Sequence, residues 1–132
     1  MPIFARHAIV TDTWARHVRW DDIELEKMRG TVTKRFVNTQ RIMLAQVNLK
    51  KGDDVPRHSH HNEQFTYVIS GRMEFWLGAA DEQNVMLRAG EVLLIPGNLP
   101  HRAYAHEDTF ELDIFNPPRQ DWIDKTDDYL RK

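Results

Sequence analysis

From residue 31 onward, apolar and polar positions alternate in short bursts. The bursts cover residues 31–37, 42–49, 64–69, 73–77, 85–87, 92–95, 102–105 and 110–115. Each has the length of a strand, and period-two alternation places every second side chain on one face. Turn-forming residues lie between them: Lys50-Lys51-Gly52-Asp53-Asp54, Ser70-Gly71, Gly78-Ala79-Ala80-Asp81, Ala89-Gly90 and Pro96-Gly97-Asn98. Many short strands at this spacing predict an all-β sandwich or barrel. The segment up to about Arg29, with Trp14, Trp20, Ile23 and Leu25, has no clear period. The tail, residues 121–132, fits one short helix or an extended flap, with Trp122 and Leu130 packing back on the body.

Composition narrows the function classes. A chain of 132 residues suits one domain, residues 1–132, better than two. A formal net charge of −2 gives no bulk electrostatic case for nucleic acid or an anionic membrane. The absence of cysteine excludes disulfides, thiolate metal ligands and cysteine nucleophiles. No run approaches the ~18–20 apolar residues of a membrane span. Residues 1–20 carry charges throughout and lack the apolar core of a signal peptide, so a cytoplasmic location is expected.

The candidate chemistry is concentrated in two places. His58 and His60 are two apart, which on a regular strand puts both imidazoles on one face; His101 follows a Gly/Pro turn further on. Imidazoles that converge suggest a transition-metal site, and zinc, nickel, iron, manganese and copper all remain open. His61 and Glu63 are out of phase with His60 and Gln64 and are expected to face away, unless a bulge brings Glu63 in. His7, His17 and His106 read as ordinary surface histidines. The second place is the strand-and-stop run Leu112-Asp113-Ile114-Phe115-Asn116-Pro117-Pro118-Arg119. Asp113 and Phe115 share one strand face, Leu112 and Ile114 the other. An inward Asp113 would be a desolvated carboxylate, a general base or a substrate-positioning acceptor; an outward one would be structural. Arg119 can hold a carboxylate in a two-pronged fork or anchor the tail through a salt bridge.

Gly52, His58, His60, Gln64 and Gly71 form one punctuated unit, residues 52–71. Gly90, Pro96-Gly97-Asn98 and His101 open a second, residues 90–105. Together they resemble the two halves of the cupin signature, which implies a small jelly-roll barrel that binds one divalent transition metal. His-Ser-His…Glu-Gln, Ile-Pro-Gly-Asn with His101, and Leu-Asp-x-Phe-x-Pro-Pro-Arg-x-Asp-Trp resemble more closely the pectin-degradation cupins of the KdgF type. That resemblance implies a metal on His58, His60, Gln64 and His101, active-site roles for Asp113, Phe115 and Arg119, and a homodimer. It also implies ring opening of 4,5-unsaturated uronates to linear 5-keto-4-deoxyuronate. Asn98 stands where the second motif usually has glycine, and Ala105 where it has asparagine; an asparagine tolerates a left-handed turn.

Gln64 replaces the glutamate most common at its position in cupins. Three neutral imidazoles and an amide leave a divalent charge uncompensated, which favours a small anionic substrate. Three other readings stay open: a metal-dependent dioxygenase, another cupin isomerase acting on a keto acid, and a non-catalytic binding module. Residues 1–29, with Trp14, Trp20 and Ile23, are expected either at a dimer interface or packed on their own barrel.

Overall fold

The computed structural model describes residues 9–10, as backbone, and residues 13–132. His7 and the first part of the N-terminal segment lie outside the described residues. Eleven strands follow one another: β1 (Ile9–Val10), β2 (Glu26–Lys27), β3 (Thr33–Thr39), β4 (Met43–Leu49), β5 (Asp54–His58), β6 (Glu63–Ser70), β7 (Arg72–Leu77), β8 (Gln83–Arg88), β9 (Val92–Ile95), β10 (His101–Ala105) and β11 (Thr109–Asn116). A 3-10 turn at Trp20–Asp22 precedes β2, and two single-turn helices, α1 (Gln120–Ile123) and α2 (Asp128–Arg131), close the chain. None of the described helices is long and apolar enough to cross a membrane.

Two sheets form. One runs β1-β3-β4-β11-β6-β9 with β2 also on β3; the other runs β5-β10-β7-β8. From β4 to β7, and again from β8 to β11, consecutive strands alternate between the sheets, as in a jelly roll. The predicted all-β class holds, and most of the predicted strands reappear with ends shifted by one or two residues. β5 is the exception, since its first residue was read as turn. Asp54-Val55-Pro56-Arg57-His58 has no apolar alternation, and Pro56 argues against a central strand. β5 is the edge of its sheet, where a missing backbone donor is tolerated.

The inner faces make the core. Met43, Ala45, Val47 and Leu49 of β4 face Met73, Phe75 and Leu77 of β7 and Ala103 and Ala105 of β10. Gly71, between β6 and β7, has φ +97, and a Cβ there would stand 2.4 Å from the Asp108 carbonyl, so a side chain is excluded twice over. Ile23 is buried within its own chain, whereas Trp14 is exposed.

The tail closes one end of the barrel. It forms two single turns rather than one helix, and Trp122 and Leu130 are buried as expected. Trp122 packs its ring 5.0 Å from Phe115 and 5.8 Å from Phe36. A buried ion pair was not legible: Lys34 Nζ on β3 donates to Asp127 at 2.6 Å and lies 3.6 Å from the Trp122 ring centroid. Arg131 Nε holds the other Asp127 oxygen at 2.8 Å. Burial pulls Lys34 down to about 8 although Asp127 opposes the shift. Lys34→Met is expected to leave the Asp127 carboxylate half-paired in the interior and to cost about 3 kcal/mol or more. Denaturant unfolding reads this; a loss below about 1 kcal/mol would show that Arg131 suffices.

Candidate metal centre and pocket

His58 and His101 meet across the β5–β10 pair, where they are direct partners in the ladder. Their rings lie 4.4 Å apart between centroids. His60 arrives differently. β5 ends at His58, and residues 59–62 carry the chain from one sheet to the other, so no single strand holds both histidines. The same-face expectation is therefore corrected: a loop, not strand alternation, brings His60 in. That loop is fastened on three sides. Asn98 N–H donates to the His60 carbonyl at 2.7 Å. The buried Asn62 amide donates to the carbonyls of Pro117 at 2.6 Å and Pro118 at 3.1 Å. A Cβ on Gly97 would stand 2.4 Å from the His61 carbonyl, so only glycine lets the 96–98 turn approach. Asn98 takes the left-handed conformation, φ +68, that the sequence suggested it could.

The imidazoles are oriented by the backbone. Nδ1 of His58, His60 and His101 lies 2.8, 3.0 and 2.8 Å from the carbonyls of Pro56, Asn62 and Leu99. A carbonyl only accepts, so each Nδ1 carries the hydrogen and each Nε2 keeps its lone pair. One nitrogen from each ring falls within 4.8 Å of the others. Burial, reinforced for His58 by His101 and for His60 by Arg119, pushes His58 down to about 3 and His60 to about 4. Burial lowers His101 as well. The rings are neutral, as ligands must be.

A hydrogen-bonded line fixes Gln64 as well. Thr66 Oγ1 donates to Asp113 Oδ1 at 2.6 Å, so it accepts from Gln64 Nε2 at 2.8 Å. The amide oxygen is thereby turned to His60, 3.1 Å from Nε2. Two acceptors then face each other. His101 Nε2 is buried and has no hydrogen-bond partner among the described residues, a situation that ordinarily costs about 1–3 kcal/mol. Facing lone pairs and an orphaned nitrogen are both relieved by a cation. The set fits a divalent metal on His58, His60, His101 and the Gln64 amide oxygen, the last supplied by side-chain geometry rather than by charge. Glu63 is exposed, as the phase of β6 implied, and His61 is exposed in the loop before it. His106 bonds Glu74 on the outside at 2.7 Å, and His17 is exposed.

Beside these ligands lies a pocket whose lining includes His58, Gln64, His101, Glu111, Asp113, Phe115 and Arg119. Asp113 and Phe115 both face inward and are buried. Arg119 is buried too, with its guanidinium 5.2 Å from the Phe115 ring centroid and 4.9 Å from that of Trp122. Its Nε and Nη2 each donate to Asp121 at 3.0 Å, and Nη2 also meets the Tyr129 hydroxyl. The fork is thus engaged by the tail. Nη1 makes no hydrogen bond among the described residues. Burial alone would raise Asp121, yet the Arg119 contact holds its carboxyl below the usual range. The Tyr129 ring lies 5.2 Å from that of His58, so the tail reaches the metal ligands.

Two residues at the site were missed, Glu111 in the pocket lining and Tyr129 against His58 and Arg119. Glu111 is two positions before Asp113 and shares its inward face, a signal the alternation carried but the apolar pattern hid, because Leu112 and Ile114 point outward. Tyr129 had no local signal; only the folding-back of the tail places it.

The sequence profile of the cupin domain matches residues 45–116, more than half of the chain, and the chain belongs to the cupin family. Among solved structures it is similar to KdgF from Halomonas sp., with 25% identity, 79% of this chain and 96% of that chain covered, and a TM-score of 0.71. An RmlC-like cupin from Shewanella frigidimarina covers 82% and 96% at 22% identity and a TM-score of 0.73. Oxalate decarboxylase of Bacillus subtilis, which carries Mn(II) centres, matches 65% of this chain and 25% of its own at 20% identity and a TM-score of 0.59. The last two similarities speak for the fold alone. A search of curated protein sequences finds no match.

Proposed function

We propose that this cupin is a metal-dependent, non-redox enzyme that opens the ring of a 4,5-unsaturated uronate to give linear 5-keto-4-deoxyuronate. The observation that carries the reading is the meeting, in one pocket, of three bare imidazole nitrogens and an amide oxygen with buried Asp113, Phe115 and Arg119. Their order along the chain is that of the KdgF-type motif, and a KdgF is among the similar structures. A divalent metal bound at the histidines would supply Lewis-acid polarisation of a sugar oxygen. Asp113 takes the proton of the anomeric hydroxyl, so that the bond from C1 to the ring oxygen can break. Arg119 meets the uronate carboxylate through Nη1, because Asp121 occupies its other edge. Phe115 walls one side of the ring and keeps water from it. Incubating metal-loaded protein with an unsaturated uronate monosaccharide is expected to abolish the absorbance of its conjugated double bond faster than buffer does. Equal rates with and without protein would overturn the reading.

The protein is proposed to act as a homodimer. Phe65, Tyr67 and Ile69 of β6 and Val92 and Leu94 of the edge strand β9 leave 38–59% of their surface exposed. Phe65 pairs with Leu94 and Tyr67 with Val92, which makes the patch continuous. Apolar surface of this kind on one sheet face suits a second copy better than water. Sedimentation is expected to give twice the 15.6 kDa of one chain; the mass of a single chain would remove the dimer.

A further inference from the structure

Glu111 is a buried acid for which the ring-opening steps above have no use. It sits on the inner face of β11, in register with Val47 of β4 and Val68 of β6, 5% exposed. Nothing structural requires a carboxyl between two valines, and an unpaired one is costly there. Two positions on, Asp113 shares its inward face, and both buried carboxyl groups line the same pocket. Two carboxyl groups side by side out of water do not both ionise, so one of them keeps its proton. Burial raises the Asp113 carboxyl as well, but the Thr66 hydroxyl donates to it and Arg119 acts on it, both of which favour its charged form. Glu111 has neither such a donor nor such a cation among the described residues. The proton therefore rests on Glu111. Burial and the neighbouring Asp113 push the Glu111 carboxyl well above the usual range, which agrees.

Ring opening needs this proton. When the anomeric hydroxyl loses its hydrogen, C1=O forms and the bond from C1 to the ring oxygen breaks. The ring oxygen becomes the C5 ketone only if the C4=C5 electron pair takes a proton at C4. One proton leaves O1 and one arrives at C4, with no change in oxidation state. We propose that Glu111 is the general acid that protonates C4, paired with Asp113 as the base that deprotonates the anomeric hydroxyl; this rests on the ring-opening reading. After one turnover Asp113 holds the proton and Glu111 is ionised. Transfer from Asp113 back to the neighbouring Glu111 restores the starting state.

The test is ring opening of an unsaturated uronate by metal-loaded protein in D2O, with early product analysed for deuterium at C4. Wild-type protein is expected to place the label on one face of C4. Glu111→Gln keeps shape but has no proton to give. Its kcat is expected to fall roughly 10²-fold or more, with KM little changed and label on both faces, because water then protonates the enol. Glu111→Asp keeps an acid one methylene short and is expected to retain one-face labelling at a kcat between the two. Should the glutamine variant not fold, the aspartate variant decides: kcat equal to wild type would overturn the role. A folded Glu111→Gln within about threefold of wild-type kcat, still labelling one face, would overturn Glu111 as the acid and leave the ring-opening reading intact. Wild-type protein that does not open the uronate overturns both.

Discussion

His58→Ala/His101→Ala is expected to reduce bound divalent metal from about one per chain to none and to abolish activity with it. These two residues are ladder partners at the end of the β5–β10 pair, and each presents Nε2 because its Nδ1 is tied to a carbonyl two residues back. Removing both leaves His60 and the Gln64 amide, two neutral donors that hold a divalent ion weakly. The fold should persist, since the double change also removes a buried nitrogen without a partner. Elemental analysis, with circular dichroism as the control for folding, reads the outcome. Full metal occupancy in the folded double variant would refute the histidine centre.

Asp113→Asn is expected to lower turnover by roughly 10²–10⁴-fold while the metal stays bound. Asparagine keeps the size of the side chain and still accepts from Thr66, so the line from Thr66 through Gln64 to His60 is kept. What disappears is the group able to take a proton. Metal content equal to wild type separates this from a loss of the centre. Near-normal turnover on an unsaturated uronate, with the metal confirmed, would leave Asp113 a structural role. Together the two variants split the site into a part that holds the ion and a part that moves protons.

Much of this architecture is legible in the sequence because its causes are local. Strand alternation follows from backbone geometry, so parity alone puts Asp113 and Phe115 on one face and Glu63 opposite Gln64; that the Asp113 face looks inward was left open by the sequence. Left-handed Asn98 and the tight Gly97 turn follow from what those residues tolerate. Where causes are not local, the reading fails in identifiable ways. β5 is hidden because an edge strand tolerates Pro56 and carries few apolar residues. His60 was placed on a strand that ends two residues earlier, since a crossing between sheets has no sequence period. For Arg119 the sequence offered both a fork for a carboxylate and an anchor for the tail, and the tail takes one edge of it through Asp121.

The sequence by itself determined the all-β class, the residue types able to bind a metal, and which side of each strand they occupy. Those properties depend on side-chain chemistry and on dihedral preferences within a few residues. Only the tertiary structure decided that three Nε2 lone pairs converge, that Gln64 shows its oxygen and not its nitrogen to His60, and that Lys34 finds a buried partner in Asp127. Each of these depends on partners far apart in the chain: His58 with His101, Gln64 with Asp113 through Thr66, Lys34 with Asp127. A buried polar group takes its orientation from the partners that satisfy it, and those partners meet only when the two sheets close.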